Sequence, residues 1–214
     1  YKKARMATRP MTSVITGDII KSRSLNNPKL WLQTLKNALA TIEKDHSLWE
    51  IYRGDSFQIE IKQVEKSFEA AVYIKACIKT IKGLDVRLAI GLGSKTYSGE
   101  FVTESQGEAF LNSGTTLETL KKSKQSLKIK TSNKTLDQEL NLYFKLAAIS
   151  MDRWTVHQAE IVKLSLEHPN AIQEELGKRL GINQNTISRR QKRANLEEVL
   201  ELNNMYQQKI SKEL

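Results

Sequence analysis

The chain has 214 residues, 39% of them hydrophobic and 27% charged, with a net charge of +10 and a pI near 9.6. That is a globular composition with room for one large or two small domains, and no apolar run approaches the ~20 residues that cross a bilayer. One cysteine, Cys77, excludes an internal disulfide, and three scattered histidines (His46, His157, His168) give no zinc spacing.

The excess of Lys and Arg favours a polyanionic partner, nucleic acid before membrane. The basic start (Lys2, Lys3, Arg5, Arg9) is not followed by an apolar signal-peptide core, so a cytoplasmic protein is expected. Two stretches concentrate the charge: Lys121 to Lys134 and Lys178 to Arg193 each hold six basic residues and no acid.

Met11–Asp18 reads as a strand with an Asp at its carboxyl end. Pro28 opens a helix over 28–44, with Trp31, Leu35, Ala38, Leu39 and Ile42 at helical spacing. Residues 49–61 read as strand, turn, strand. Gly54-Asp55 makes the turn, and Phe57, Ile59 and Ile61 alternate with Ser56, Gln58 and Glu60. A second helix carries Phe68 to Ile81 and stops at Gly83, and a fourth strand, Val86 to Ile90, runs into Gly91-Leu92-Gly93.

The order β-α-β-β-α-β is the split βαβ, or ferredoxin-like, unit. That topology puts the first and third strands side by side and antiparallel. Asp18 and Asp55 should therefore meet at one end of the sheet. Two such carboxylates repel unless a cation or a proton intervenes, and hard oxygen ligands with room for water suit Mg²⁺.

Beyond Gly107 a further helix carries Ala109, Phe110, Leu117 and Leu120. Leu127–Lys130 reads as an edge strand, and Leu136 to Ala148 as another helix. The domain boundary is expected near Ser150–Trp154, giving an α+β sheet domain over 11–150 and an all-α domain over 151–214.

In the second segment Ile161, Leu164, Ile172, Leu176, Leu180, Ile182 and Ile187 are the core spacing of a helix-turn-helix. Gly181-Ile182-Asn183 is the turn, and Asn183 caps the last helix. Gln184, Asn185, Thr186, Ser188, Arg189, Arg190, Lys192 and Arg193 make its exposed side, with side chains suited to base edges and phosphates of double-stranded DNA. Tight binding would need a homodimer. The tail 195–210 has apolar residues near helical spacing, fit to cap this unit or to dimerise.

Several motifs resemble the palm domain of class III nucleotidyl cyclases and GGDEF diguanylate cyclases. Gly17-Asp18-Ile19-Ile20 resembles the metal-binding Asp-Ile, Arg53-Gly54-Asp55 the second metal hairpin, and Val86 to Gly93 the strand after it. Gly107-Glu108-Ala109 resembles the opening of the next cyclase helix. The resemblance implies metal at Asp18, Ile19 and Asp55, and a nucleotide ligand near Gly17, Gly54, Arg53 and Arg87. Asn112 is displaced by a residue from the cyclase Asn, and Thr116 stands where cyclases place an Arg. Arg53, Arg87, Lys95 or Lys21 would have to neutralise phosphate instead.

The runs Val14 to Ile20, Tyr52 to Gln58 and Glu104 to Phe110 resemble the SatD family of bacterial proteins. Residues 175–190 resemble helix-turn-helix proteins of the sigma-region-4 or MarR kind. Three functions follow as expectations: a DNA-binding regulator with a metal- or nucleotide-binding palm-like sensor, a Mg²⁺-dependent nucleotidyl cyclase or nucleotidyltransferase targeted by its helix-turn-helix, and an interaction module.

Overall fold

The computed structural model describes residues 11–25 and 27–213, so the basic start of the chain lies outside the described residues. The elements in order are β1 (Met11–Ile20), α1 (Pro28–Ile42), β2 (Trp49–Tyr52), β3 (Ser56–Ile61), α2 (Ser67–Lys79) and β4 (Asp85–Tyr97). Then come β5 (Gln106–Gly107), α3 (Glu108–Ser123), β6 (Leu127–Lys130) and α4 (Lys134–Met151). The chain closes with α5 (Val156–Glu167), α6 (Gln173–Leu180), α7 (Gln184–Arg193) and α8 (Leu196–Ile210). Among the described residues no helix is long and apolar enough to cross a membrane.

Local chemistry explains the helix starts. Asn27 Oδ1 accepts from the Lys29 N–H at 3.1 Å, with Pro28 following as the first helical residue. Asn133 and Thr155 cap α4 and α5 in the same way. β1 runs two residues past Asp18, and β4 continues to Tyr97, well beyond Gly93.

The sheet has the order β2-β3-β1-β4, each neighbour antiparallel; β6 lies parallel along β4, and β5 pairs with the tail of β4. The two faces differ in chemistry. Ile15, Ile19, Phe57, Ile59, Ile61, Val86, Leu88, Ile90 and Leu92 share one apolar cluster with Trp31, Leu35 and Leu39 of α1 and Phe68, Val72 and Ile74 of α2. On the other face Ala89 packs with Leu117 and Leu120 of α3.

This second face is largely polar, and apart from Asp18 Oδ1 its buried polar groups find partners. Glu60 accepts from Thr12 Oγ1 (2.9 Å) and from Lys95 Nζ (2.6 Å), while Thr16 Oγ1 donates to Ser113 Oγ of α3 (2.9 Å). α3 approaches so closely because Gly91 has no side chain. A Cβ there would lie 2.2 Å from the Ala109 carbonyl oxygen and 2.3 Å from the Ser113 nitrogen.

The apolar cluster does not stop at residue 150. Met151, Trp154, Ala159, Val162, Leu196, Val199, Tyr206 and Ile210 belong to the same cluster as the sheet core. Phe68 of α2 stacks on Phe144 of α4, centroids 4.7 Å apart, and Tyr206 of α8 packs 5.8 Å from Phe68. A smaller cluster of Ile161, Leu176 and Ile187, with Leu164, Ala171, Leu180 and Ile182 around it, holds α5, α6 and α7 together.

An ionic junction lies between these regions. Lys75 of α2, its side chain 1% exposed, sits 2.7 Å from both Asp85 at the start of β4 and Asp152 at the end of α4. Lys79 reaches Asp85 (3.2 Å) and the Asp152 carbonyl (2.8 Å), and Ser126 donates to Asp152 (2.6 Å). A buried ammonium needs such partners to remain charged.

Candidate functional site

The hairpin turn between β2 and β3 is three residues long, Arg53-Gly54-Asp55, because Tyr52 pairs directly with Ser56. Arg53 and Gly54 both take left-handed backbone, φ 50° and 86°. A Cβ on Gly54 would meet nothing within 4 Å, so its glycine answers to backbone conformation rather than to crowding. The turn carries Asp55 to the end of β1, where the Ile19 N–H donates to the Asp55 carbonyl at 3.0 Å.

Asp18 pairs in register with Ser56 on one side and Arg87 on the other. Asp18 and Asp55 thus lie at one end of the sheet, and the Asp55 charge is near enough to disfavour ionisation of Asp18. Asp18 Oδ2 accepts from Arg87 Nη1 at 3.0 Å; the two side chains are 14% and 24% exposed. Asp55 Oδ2 accepts from Ser22 Oγ at 2.6 Å. Asp18 Oδ1 is buried with no hydrogen-bond partner among the described residues. Burial pushes the Asp18 carboxyl up from the ordinary carboxylate range, against the downward pull of Arg87 and Lys121.

The other sequence candidates divide. Gly17 faces the apolar side covered by α1 and α2, where a Cβ would lie 2.4 Å from the Phe57 ring, so its bareness makes room for packing. The Ile19 side chain is buried in that same core, leaving its main-chain carbonyl as the only oxygen it has for a metal. Lys95 is occupied by Glu60, and Asn112 donates to the Leu92 carbonyl at 2.9 Å, fastening α3 to β4. Arg53 stays exposed at the hairpin tip.

Lys121 was expected only as part of a lysine run. The structure brings it near Asp18, because Leu117 and Leu120 bury the preceding turn of α3 against the sheet. Arg87 as the direct partner of Asp18 follows from strand register, which a single strand's sequence does not carry.

Among the described residues no three His, Cys, Asp or Glu side chains gather as a metal cluster. The donor set suits a magnesium ion that keeps water and draws further ligands from a phosphate. Asp18 Oδ1 and the Asp55 carboxylate would hold it, and the orphaned Oδ1 is the observation that fits a cation.

A second candidate surface is α7. Asn183 Oδ1 accepts from the Thr186 N–H at 2.9 Å, starting the helix, and Ile187 anchors it in the core. Gln184, Asn185, Ser188, Arg189, Lys192 and Arg193 are exposed. Thr186 and Arg190 are half-buried, and Arg190 lies 3.7 Å from Glu160 of α5, so these two lie beside the exposed stripe rather than on it. Gly177 fits against the turn itself, where a Cβ would lie 2.5 Å from the Ile182 carbonyl oxygen. The outward stripe of α7 carries no acid and five basic or amide groups, Gln184, Asn185, Arg189, Lys192 and Arg193, capable of paired hydrogen bonds or phosphate contact.

No curated protein matches the chain. Among solved structures, the active GGEEF domain of a diguanylate cyclase from Vibrio cholerae is similar at 16% identity, over 58% of this chain and 84% of that one, with a TM-score of 0.41. The model of the SatD family matches residues 13–210, and the chain belongs to that family.

Proposed function

We propose that the protein is a DNA-binding regulator, in which α5, α6 and α7 act as a helix-turn-helix and α7 enters the major groove. The observation that carries this reading is the acid-free exposed stripe Gln184, Asn185, Ser188, Arg189, Lys192 and Arg193 on a helix fixed by Ile187. A merely solvated helix usually mixes signs along its exposed face. Amide and guanidinium groups pair with adenine and guanine edges, and lysine adds phosphate contact. In the same reading the sheet segment is a palm-like sensor. Its carboxylates Asp18 and Asp55, with Arg87, Arg53 and Lys121 nearby, would take a nucleotide through Mg²⁺ and phosphate contacts.

The test is a fluorescence-anisotropy titration of the full chain on random and selected duplexes across salt concentrations. Arg189→Ala should cost about 1–3 kcal/mol on the preferred site and relax its specificity. Arg179→Ala should weaken binding to all sequences and lower the salt slope by roughly one unit. Absence of binding even at low salt would replace this reading with a protein-interaction module.

A second reading, a Mg²⁺-dependent nucleotidyl cyclase or nucleotidyltransferase, is favoured by the buried, unpartnered Asp18 Oδ1 beside Asp55. There the pair would hold the ion that neutralises a triphosphate. Product formed from a nucleoside triphosphate with Mg²⁺ or Mn²⁺, and lost in Asp18→Asn, would favour it over the sensor.

A further inference from the structure

Helix α4 is apolar on two sides. Leu136, Leu140, Phe144 and Met151 are buried against the core. Leu142, Leu146 and Ile149, spaced so that they fall on one outward stripe, are 55%, 56% and 58% exposed. Beside that stripe α4 and α8 enclose a groove of ≈ 770 Å³ lined by Tyr143, Ala147, Val199, Leu202 and Met205. Apolar side chains gathered outward on one helix face beside a groove suit a contact surface.

The rim of the groove carries both signs. Arg153 and Arg193 line it, and so do Glu198 and Glu201. Among the described residues none of these four charges has an ion-pair partner. A nucleic acid or an anionic membrane would leave the two acids unmatched. A patch that must face itself across a two-fold axis needs both signs, because each copy supplies the partner of the other.

We propose that this face of α4 and α8 is the interface between two copies of the chain. The apolar stripe would be covered by its own copy, and Arg153 would meet Glu198 and Glu201 across the axis. Arg193 closes α7, so the interface lies next to the DNA-facing helix. Its consequence for DNA, two α7 helices presented together to paired half-sites, rests on the regulator reading; the interface itself does not.

The experiment is sedimentation equilibrium of the full chain without DNA, which keeps its outcome separate from that reading. The wild type should be a dimer. Leu146→Glu should be monomeric with an unchanged far-ultraviolet circular dichroism spectrum. Arg153→Glu alone, and Glu198→Lys with Glu201→Lys, should each dimerise roughly tenfold more weakly, because like charges then face each other. An equimolar mixture of these two variants should recover the dimer. A wild type that stays monomeric at its highest soluble concentration, or a dimer that none of the changes weakens, would overturn the proposal. So would charge variants whose mixture is no tighter than either alone.

Discussion

Burial pushes the Asp18 carboxyl upward while the Arg87 guanidinium, 3.0 Å away, pulls it down, and burial has the larger effect. The folded-state value therefore lies above the unfolded one. The stability this group contributes is fully present below the ordinary carboxylate range and is lost as pH rises through the raised value. At neutral pH the charge thus costs stability, which is the pattern of a group retained for binding. Asp18→Asn is accordingly expected to melt no lower than wild type at neutral pH. Any advantage should disappear in acid, where the wild-type carboxyl is protonated. Thermal melts at the two pH values check this; a lower neutral melting temperature for the variant would mean that the Arg87 pair outweighs burial. Cys77, by contrast, is buried and its thiol is pushed up to about 12, which makes it an inert core residue as its helical setting suggests.

Two glycines, one in a turn and one inside a strand, matter for different reasons, and only one reason is visible in a sequence. Gly54 sits at φ 86° in open space; Gly91 sits in ordinary strand conformation under the α3 backbone. Gly54→Ala should cost about 1–2 kcal/mol from the left-handed backbone alone. Gly91→Ala should cost about 1–3 kcal/mol by driving α3 off the sheet, with loss of the Asn112 bond to Leu92. Denaturant midpoints measure both. Amide exchange should separate them, with faster exchange along α3 in Gly91→Ala only. The turn at Gly54 was legible because Gly-Asp between alternating strands has few other readings. The tight seat at Gly91 was not, because it depends on which helix returns to that face. The helix starts at Pro28 and Asn183 were local and legible; strand ends were less so, since β1 and β4 extend only where a neighbour continues the ladder.

At the scale of the molecule, the apolar cluster joins the sheet segment to α5 and α8. Val162, Val199 and Tyr206 share that cluster with residues N-terminal to 151. Tyr206 Oη donates to the Val64 carbonyl at 3.3 Å, and Trp154 Nε1 donates to the Ala194 carbonyl at 2.8 Å. A fragment of residues 151–214 would expose those side chains to water. It is expected to lack a cooperative thermal transition and to show a poorly dispersed amide spectrum; a sharply melting fragment would show that α5–α8 is self-sufficient. The sequence by itself determined the β-α-β-β-α-β order of the first elements, the Gly-Asp turn, the helix starts at Pro28 and Asn183 and the acid-free face of α7, because periodicity and turn chemistry act over a few residues. Only the tertiary structure decided that Arg87 pairs with Asp18 and that Lys121 lies near enough for its charge to act on it, that Gly17 is filled by Phe57, and that Lys75 is held by Asp85 and Asp152. It also decided that α4 keeps an apolar face outward. Each of these depends on register and packing between segments far apart in the chain, and no local pattern encodes which surfaces will meet.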